Sequence, residues 1–489
     1  MTRYAIALTA LLIAAPALAT TYKVTNDTNL VTAMAAAVAG DVVNIAAGSY
    51  TGSFVPSNSG TAGNMIRVVG SQASPSTVST TAGLSWASGT RSYLSWTGIK
   101  VGDDVTFTRA DHCSLTYARV DSGGLSSYGT NSDPTSAGIS TNNYVGNSTF
   151  RQNIGSNGFA VVFKRTESTV VERCRFYQTI TNAAADARGR YLYRSSNNTF
   201  RNCALFVECW GAENGEQFVQ GIRDSSANNT FNTDTIWIGL TSKRSRRCLL
   251  SQSGTYAGTA SPNYWVGCDY RSFHEPATDN AFEFQDGTGG GVYNCVFVSR
   301  MGRSLTFPGS ATTPGLVLRH VTAYSSDKQA FRYDHTTNPT SSHFSGMAYA
   351  TRTAGSCADN GSSVFKVQTL GAFATSDSNA FIAPDLSYVA QKAGGGLVCY
   401  ALAAWIAASG VDAVSTAATM AGTVFADTTW STLDLRPASS SSALKSASAP
   451  GGYYGAFDYT ASASPEPSCS CPPDPVGDLR LYYVKEDDE

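Results

Sequence analysis

Two cations stand out for what their surroundings would let them do. Lys164 closes the apolar run Phe159-Ala160-Val161-Val162-Phe163, and Arg194 closes Tyr191-Leu192-Tyr193. Each follows a strand-like run and precedes a turn. If those runs stack, one face gains a base and a second charge beside it. That is the equipment for drawing off a proton next to a carboxylate and stabilising the enolate-like anion left behind. Arg188 and Arg190, on the run that ends at Arg194, would hold the carboxylates of an acidic substrate.

A second constellation follows: Glu208, Trp210, Glu213, Glu216, Arg223 and Asp224, on a segment that reads as a flank insertion. Paired carboxylates at the right separation serve as acid and base in glycoside hydrolysis, and carboxylates also take up calcium. Solvated loop acids are the alternative. Trp210, Trp237, Tyr264, Trp265 and Tyr270 crowd the same third of the chain. Flat aromatic faces suit either sugar rings outside a fold or stacked ladders inside it. The run Lys243-Arg244-Ser245-Arg246-Arg247 is basic enough to meet an acidic polymer, or to be a solvated turn. His112 and His320 fall in turn words and are assigned no chemistry. Metal-ligand spacing is absent, since the close pair Cys469 and Cys471 has no partner histidines, so no metal site is assigned.

What could position these groups is a repeat. Asn197-Asn198-Thr199-Phe200-Arg201-Asn202-Cys203-Ala204-Leu205-Phe206 reads as two short strands meeting at a sharp bend, with Asn202 at the bend and Cys203 turned inward. Asparagine tolerates left-handed backbone better than most residues with a side chain. The same word recurs around Cys113, Ser148, Cys174, Asp234, Cys268, Cys295 and Val321, at steps of about 25 to 35 residues, the interval of a solenoid. No amphipathic helix fits between the copies. Short strands joined by turns do, so the fold class is all-β: a single-stranded right-handed parallel β-helix with an N-terminal capping helix and an irregular C-terminal cap.

Met1–Ala19 reads as a secretory signal, with Arg3, an apolar run too short to span a bilayer, and Ala17-Leu18-Ala19 as cleavage site. Residues 20–460 form the β-helix, with an N-terminal cap over 20–70, coils from about 90 to 350, and a C-terminal cap over about 355–460. Asn26–Ala39 is expected to be the capping helix, with Leu30, Met34 and Val38 on one face. Ala401–Ser409 reads as a second helix with Trp405 inward. Residues 461–475 are a Ser/Pro linker and 476–489 an acidic tail. The protein is expected to be exported, to have no membrane span, and to act as a monomer. A net charge of −2 with 14% charged residues gives no footprint for nucleic acid. Cys113, Cys174, Cys203, Cys268 and Cys295 share one repeat position and are expected to stack inward, mostly as free thiols.

Two resemblances add to this reading. Gly40-Asp41-Val42-Val43-Asn44-Ile45, Gly48-Ser49-Tyr50 and Ser59-Gly60-Thr61 resemble the opening of secreted pectate-lyase-like β-helix proteins. The lysine on one coil with an arginine on the next resembles the alginate lyase and chondroitinase B family. That resemblance implies Lys164 as Brønsted base and Arg194 as the partner assisting proton transfer. Its acidic calcium ligands precede the lysine, where this chain has Asn157, Gly158 and Phe159. Calcium is therefore the one cofactor to consider, with Asn157 able to offer an oxygen. The arginine word differs too, being Tyr193-Arg194-Ser195-Ser196 in place of Leu-Arg-His-Gly. The leading expectation is a lyase cleaving a uronate-containing polysaccharide by β-elimination. The alternative is a non-catalytic, glycan-binding or adhesin-like solenoid.

Overall fold

The computed structural model describes residues 19–85, 90–129, 138–154, 158–180, 187–209, 218–223, 226–238, 247–252, 263–272, 280–285, 290–300, 302–307, 316–326, 328–334, 343–352, 357, 363–370, 375–420, 424–428, 433–439, 442–445 and 453–456. Within them the chain winds into a parallel β-helix. The first sheet has 14 strands, from Thr21–Val24 to Thr375–Asp377, and the second has 14, from Gly48–Tyr50 to Thr416–Thr419. A third sheet of 12 strands begins at Val105–Thr108, and four two-residue strands from Arg91–Ser92 to Thr166–Glu167 make a narrow fourth. Pairing is parallel from coil to coil; Val398–Tyr400 closes the third sheet antiparallel. At about 4.8 Å per strand layer, the first sheet runs about 62 Å along the rod. The coils thus extend beyond the expected 90–350 at both ends. Segments that looked like caps, such as Val42–Ile45 and Ala380–Ala383, pair in the same sheets.

Each complete coil turns at sharp left-handed corners. Between the first and second sheets the corner residues are Asn147, Arg173, Asn202, Thr233, Gly267, Asn294, His320 and Gly346, with φ between 50° and 64°. The residue after each corner points inward and is buried: Ser148, Cys174, Cys203, Asp234, Cys268, Cys295, Val321 and Met347. The expected column therefore exists, with one correction. Cys113 follows a different corner, His112 (φ 54°), which leads into the first sheet. Its backbone N–H donates to Asn143 Oδ1 at 2.9 Å. The residue that takes the Cys174 position in that coil is Ala118. Both corners read as a left-handed residue, then a small inward one, then a strand, so the word alone does not tell them apart. All five thiols are buried and free, while Cys357 and Cys399 form a disulfide.

The corner before the first sheet carries an internal asparagine ladder. Asn198 Nδ2 donates to Asn229 Oδ1 (3.1 Å), and Asn229 Nδ2 to Asn263 Oδ1 (3.0 Å). The backbone N–H groups of Thr169, Asn198 and Asn229 donate to the asparagine Oδ1 one coil on, at 3.0, 3.1 and 3.1 Å. Buried donors that no strand can reach are satisfied in this way. Apolar ladders fill the rest of the interior, such as Phe200, Phe231 and Trp265 with centroids 5.4 and 5.6 Å apart.

Arg190 lies in this interior and is corrected accordingly. Its strand, Ala187–Tyr193, places it in register with inward Val161, and it is fully buried. Its Nη1 and Nη2 meet the two carboxylate oxygens of Asp234 at 2.7 and 3.0 Å, and Tyr270 Oη donates to Asp234 at 2.9 Å. The guanidinium sits 4.4 Å from the Phe200 ring centroid. Burial opposes its charge, and Asp234 more than restores it. A residue sealed between core rings does not hold substrate.

The ends are closed by helices. The N-terminal helix, Asp27–Ala36, is capped by Asn26 Oδ1 accepting from Asn29 N–H at 2.9 Å, and buries Leu30, Ala33 and Met34. It stops before Val38, which is 48% exposed and not on the buried face. At the other end Leu402–Ser409 buries Trp405 and stops at Gly410, whose φ of 73° suits glycine. Trp405 Nε1 and Asn379 Nδ2 both donate to buried Asp412 at 2.8 Å, tying this helix to the last coil. Among the described residues no helix is long and apolar enough to cross a membrane.

Two stability measurements check this interior. Arg190→Ala strands the buried carboxylate of Asp234 and should cost about 3–5 kcal/mol in urea unfolding; a loss of under 1 kcal/mol would contradict the pairing. Burial lifts the Asp412 carboxyl above its ordinary range, against the hydrogen bonds that it accepts. The folded state then holds that proton more tightly than the unfolded chain. Stability from this group is full below the ordinary aspartate pKa and falls as pH rises through the raised one. Asp412→Asn should flatten that slope in a melting-temperature series against pH.

Candidate active site

Lys164 ends the strand Gly158–Lys164, and register sets it between Tyr128 on the previous coil and Tyr193 on the next. Arg223 continues this row by register. Arg194 is not in the row. It is the left-handed corner residue that follows (φ 47°), and its neighbour one coil back is Arg165 (φ 53°), whose N–H donates to Tyr193 O at 3.0 Å. The expected stacking of Lys164 on Arg194 is therefore offset by one residue. Arg194 stacks on Arg165, and Lys164 on Tyr193. Arg109 (φ 49°) occupies the same corner nearer the N-terminal end. Gly129 holds this corner in the coil between Arg109 and Arg165, so Arg165 and Arg194 are the consecutive pair of arginines there.

Cations and rings interleave on this face. Lys164 Nζ lies 5.7 Å from the Tyr128 ring centroid and 5.9 Å from that of Phe159. Phe159 stacks on Tyr191 at 5.6 Å, Tyr191 lies 6.1 Å from Tyr193, and Arg194 Cζ sits 5.5 Å from the Tyr193 ring. Lys164, Arg165, Tyr193 and Arg194 are all half-buried, so ligand can reach them. Burial pushes the Tyr128 phenol up, which keeps its proton in place. The cluster combines an amine able to take a proton, phenols able to give one, and guanidinium groups shaped for carboxylates. Arg165, Tyr128 and Tyr193 were not singled out from the sequence. Aligning Phe163-Lys164-Arg165-Thr166 with Leu192-Tyr193-Arg194-Ser195 by their inward hydroxyl residues would have found them.

Other expected residues are placed as follows. Arg188 pairs in register with Phe159 and Phe218, and Glu208 with Thr179 on the second sheet, a different sheet from Lys164; both side chains lie outside the described residues. Trp210, Glu213, Glu216, Asp224, Asn157 and the basic run 243–246 also lie outside them. Among the described residues, no three His, Cys, Asp or Glu side chains converge as a cation site. Trp265 and Tyr270 belong to the interior, whereas Tyr264 and Trp237 are half-buried.

A second polar cluster, on the first sheet, is built for structure. Glu172 takes Arg173 Nη2 and Arg201 Nη2, both at 2.7 Å, and Tyr144 Oη at 3.1 Å. Burial would raise the Glu172 carboxyl, but the two arginines hold it below the usual range. Burial and then Glu172 push Tyr144 up to about 12. Glu172 and the Tyr144 hydroxyl are thus engaged with each other and with the two arginines. His112 is held 2.8 Å from Asp111, and the His320 ring lies tilted against Tyr453 with centroids 4.8 Å apart.

No protein-family model matches the chain, and no curated protein does. Solved structures with a similar course include the PL6-family alginate lyase AlyGC, at TM-score 0.38 and 13% identity, covering 80% of this chain and 57% of that one. A mannuronic-acid-specific family 6 polysaccharide lyase from human gut microbiota is similar at TM-score 0.37 and 9% identity, over 74% of this chain and 86% of that one. A rhamnogalacturonan lyase is similar at TM-score 0.32 and 14% identity, over 70% and 83%. The chain thus spans little more than half the length of the first. These overlaps are loose, and the parallel β-helix stands on the chain's own strand register.

Proposed function

We propose that this protein is a polysaccharide lyase that cleaves a uronate-containing glycan by β-elimination. The observation that carries the reading is the row Tyr128, Lys164, Tyr193 with Arg165 and Arg194 at the adjoining corner. Arg165 and Arg194 bind the uronate carboxylate and draw negative charge toward it as the neighbouring C–H bond breaks. Lys164, as the free amine, takes that proton. The electron pair moves into the ring to form the double bond, and the glycosidic oxygen leaves with a proton from a phenol of the row.

Export of the protein is part of this proposal. The signal-like residues 1–19 support it, as does the Cys357–Cys399 disulfide, which suits an oxidising compartment. Helices over both ends of the rod support a single-chain particle.

Incubation with alginate, pectate and glycosaminoglycans should raise the absorbance of the new unsaturated sugar with at least one of them. Lys164→Ala should lower kcat by about 10²–10⁴-fold. Arg165→Ala and Arg194→Ala should each lower kcat/KM, and the melting temperature should hold in all three. Unaltered turnover in Lys164→Ala, or no turnover of any acidic glycan, would sink the assignment.

A further inference from the structure

The second sheet carries an outer row in continuous register: Arg151, Tyr177, Phe206, Trp237, Arg271. Arg151 Cζ lies 5.5 Å from the Tyr177 ring, Tyr177 stacks on Phe206 at 5.1 Å and 13°, and Phe206 meets Trp237 at 6.3 Å edge-on. Arg271 Cζ sits 5.5 Å from the Trp237 ring. The three rings are half-buried, and they face outward, on a different sheet from Lys164.

Beyond Arg271 the same row continues as Val298, Tyr324, Ala350 and Ile382, and all four are buried. They are covered by Val424, Phe425, Leu433, Leu435, Leu444 and Tyr454. Arg271 marks the boundary. Asp269 holds it at 2.8 Å, and its Nη1 donates to Leu433 O at 2.9 Å. One face is therefore divided in two. The half under the C-terminal segment has aliphatic side chains and one tyrosine, while the half beside it has three large planar rings, outside the cluster that the described residues of that segment form.

We infer that the strip Tyr177–Phe206–Trp237 is a second glycan-binding surface, separate from the lyase face, that takes an acidic polysaccharide lying along the rod. One ring per coil makes an apolar strip: Tyr177 and Phe206, stacked on each other, turn their edges outward and Trp237 stands across them, which suits apolar contact with successive sugar rings. Charge selects the acidic class. Arg175 stands outward two residues before Tyr177 on the same strand, and Arg151 caps the row. The choice of an acidic glycan rests on the proposed lyase activity; the binding surface itself does not.

Electrophoresis through gels containing alginate or pectate, using protein with Lys164→Ala so that the polymer stays intact, reads binding without turnover. The protein should be retarded, and quenching of the Trp237 emission should accompany it. Phe206→Ala with Trp237→Ala should weaken binding at least tenfold. Arg175→Gln should weaken it less and reduce its salt dependence, a control that leaves the rings in place should the double variant unfold. Equal retardation of all variants would overturn the inference, as would equal retardation in a neutral glucan gel. Shielding of Trp237 from acrylamide that vanishes on dilution would instead give the strip to a second copy. Shielding that vanishes on removing residues 457–489 would give it to this chain's own end. If no glycan is cleaved yet the retardation follows the rings, the lyase assignment fails and this surface stands.

Discussion

Everything in this rod depends on how a chain turns a corner without stranding its backbone. At each left-handed residue the strand ladder is interrupted, and the following amide points along the rod into an interior without water. A buried amide must find an acceptor. Cys113, Thr169, Asn198 and Asn229 find it in the asparagine side chain one coil on. Ala118 finds it in the Ser148 hydroxyl, at 3.0 Å. The acceptor comes from the neighbouring coil, so a slip in register would unsatisfy a column of amides at once. The same bonds that close the corners align the strands.

That constraint also explains how the core tolerates a fully buried ion pair. The position after the corner between the first and second sheets mostly holds small side chains, so Asp234 enters a place that takes Ser148 or Cys203 in other coils. A buried carboxylate then needs a cation and further donors. Arg190 reaches across from the third sheet, and Tyr270 supplies the remaining hydrogen bond. In the coil before it, the same third-sheet position holds Val161. One polar substitution in a corner thus required a second on another sheet.

The coil was legible because its signals are local: Asn at a bend, a small residue after it, alternating apolar positions on each side. What sequence could not resolve was which of several similar corners a word belonged to. Cys113, after the corner that leads into the first sheet, carries the same word as Cys174 after the corner that leads out of it. A displacement of one residue also separated Lys164 from Arg194 and hid Arg165, because the length of the strand before the corner sets which residue falls on it. Inside and outside were harder still. Arg190 and Trp265 are chemically suited to a surface, and only parity along their strands sends them inward. Trp237, on a strand of opposite parity, faces out. Residue type alone does not say which side of the coil such residues face; register does.

Register also keeps the outer faces of a narrow rod apart. Side chains on successive strands of one sheet stand a coil spacing apart, whereas sheets facing different directions share only the core. The third sheet gathers Lys164 with its flanking phenols and ends at a corner rich in arginine. The second sheet gives part of its outer face to the C-terminal segment and leaves the ring strip beside it. Between those two sheets lies the packed interior, where Tyr270 of the second meets Phe282 of the third at 6.2 Å. Stiffness there would permit the proposed chemistry at one face and the proposed grip at another, because neither surface has to supply the stability of the coil.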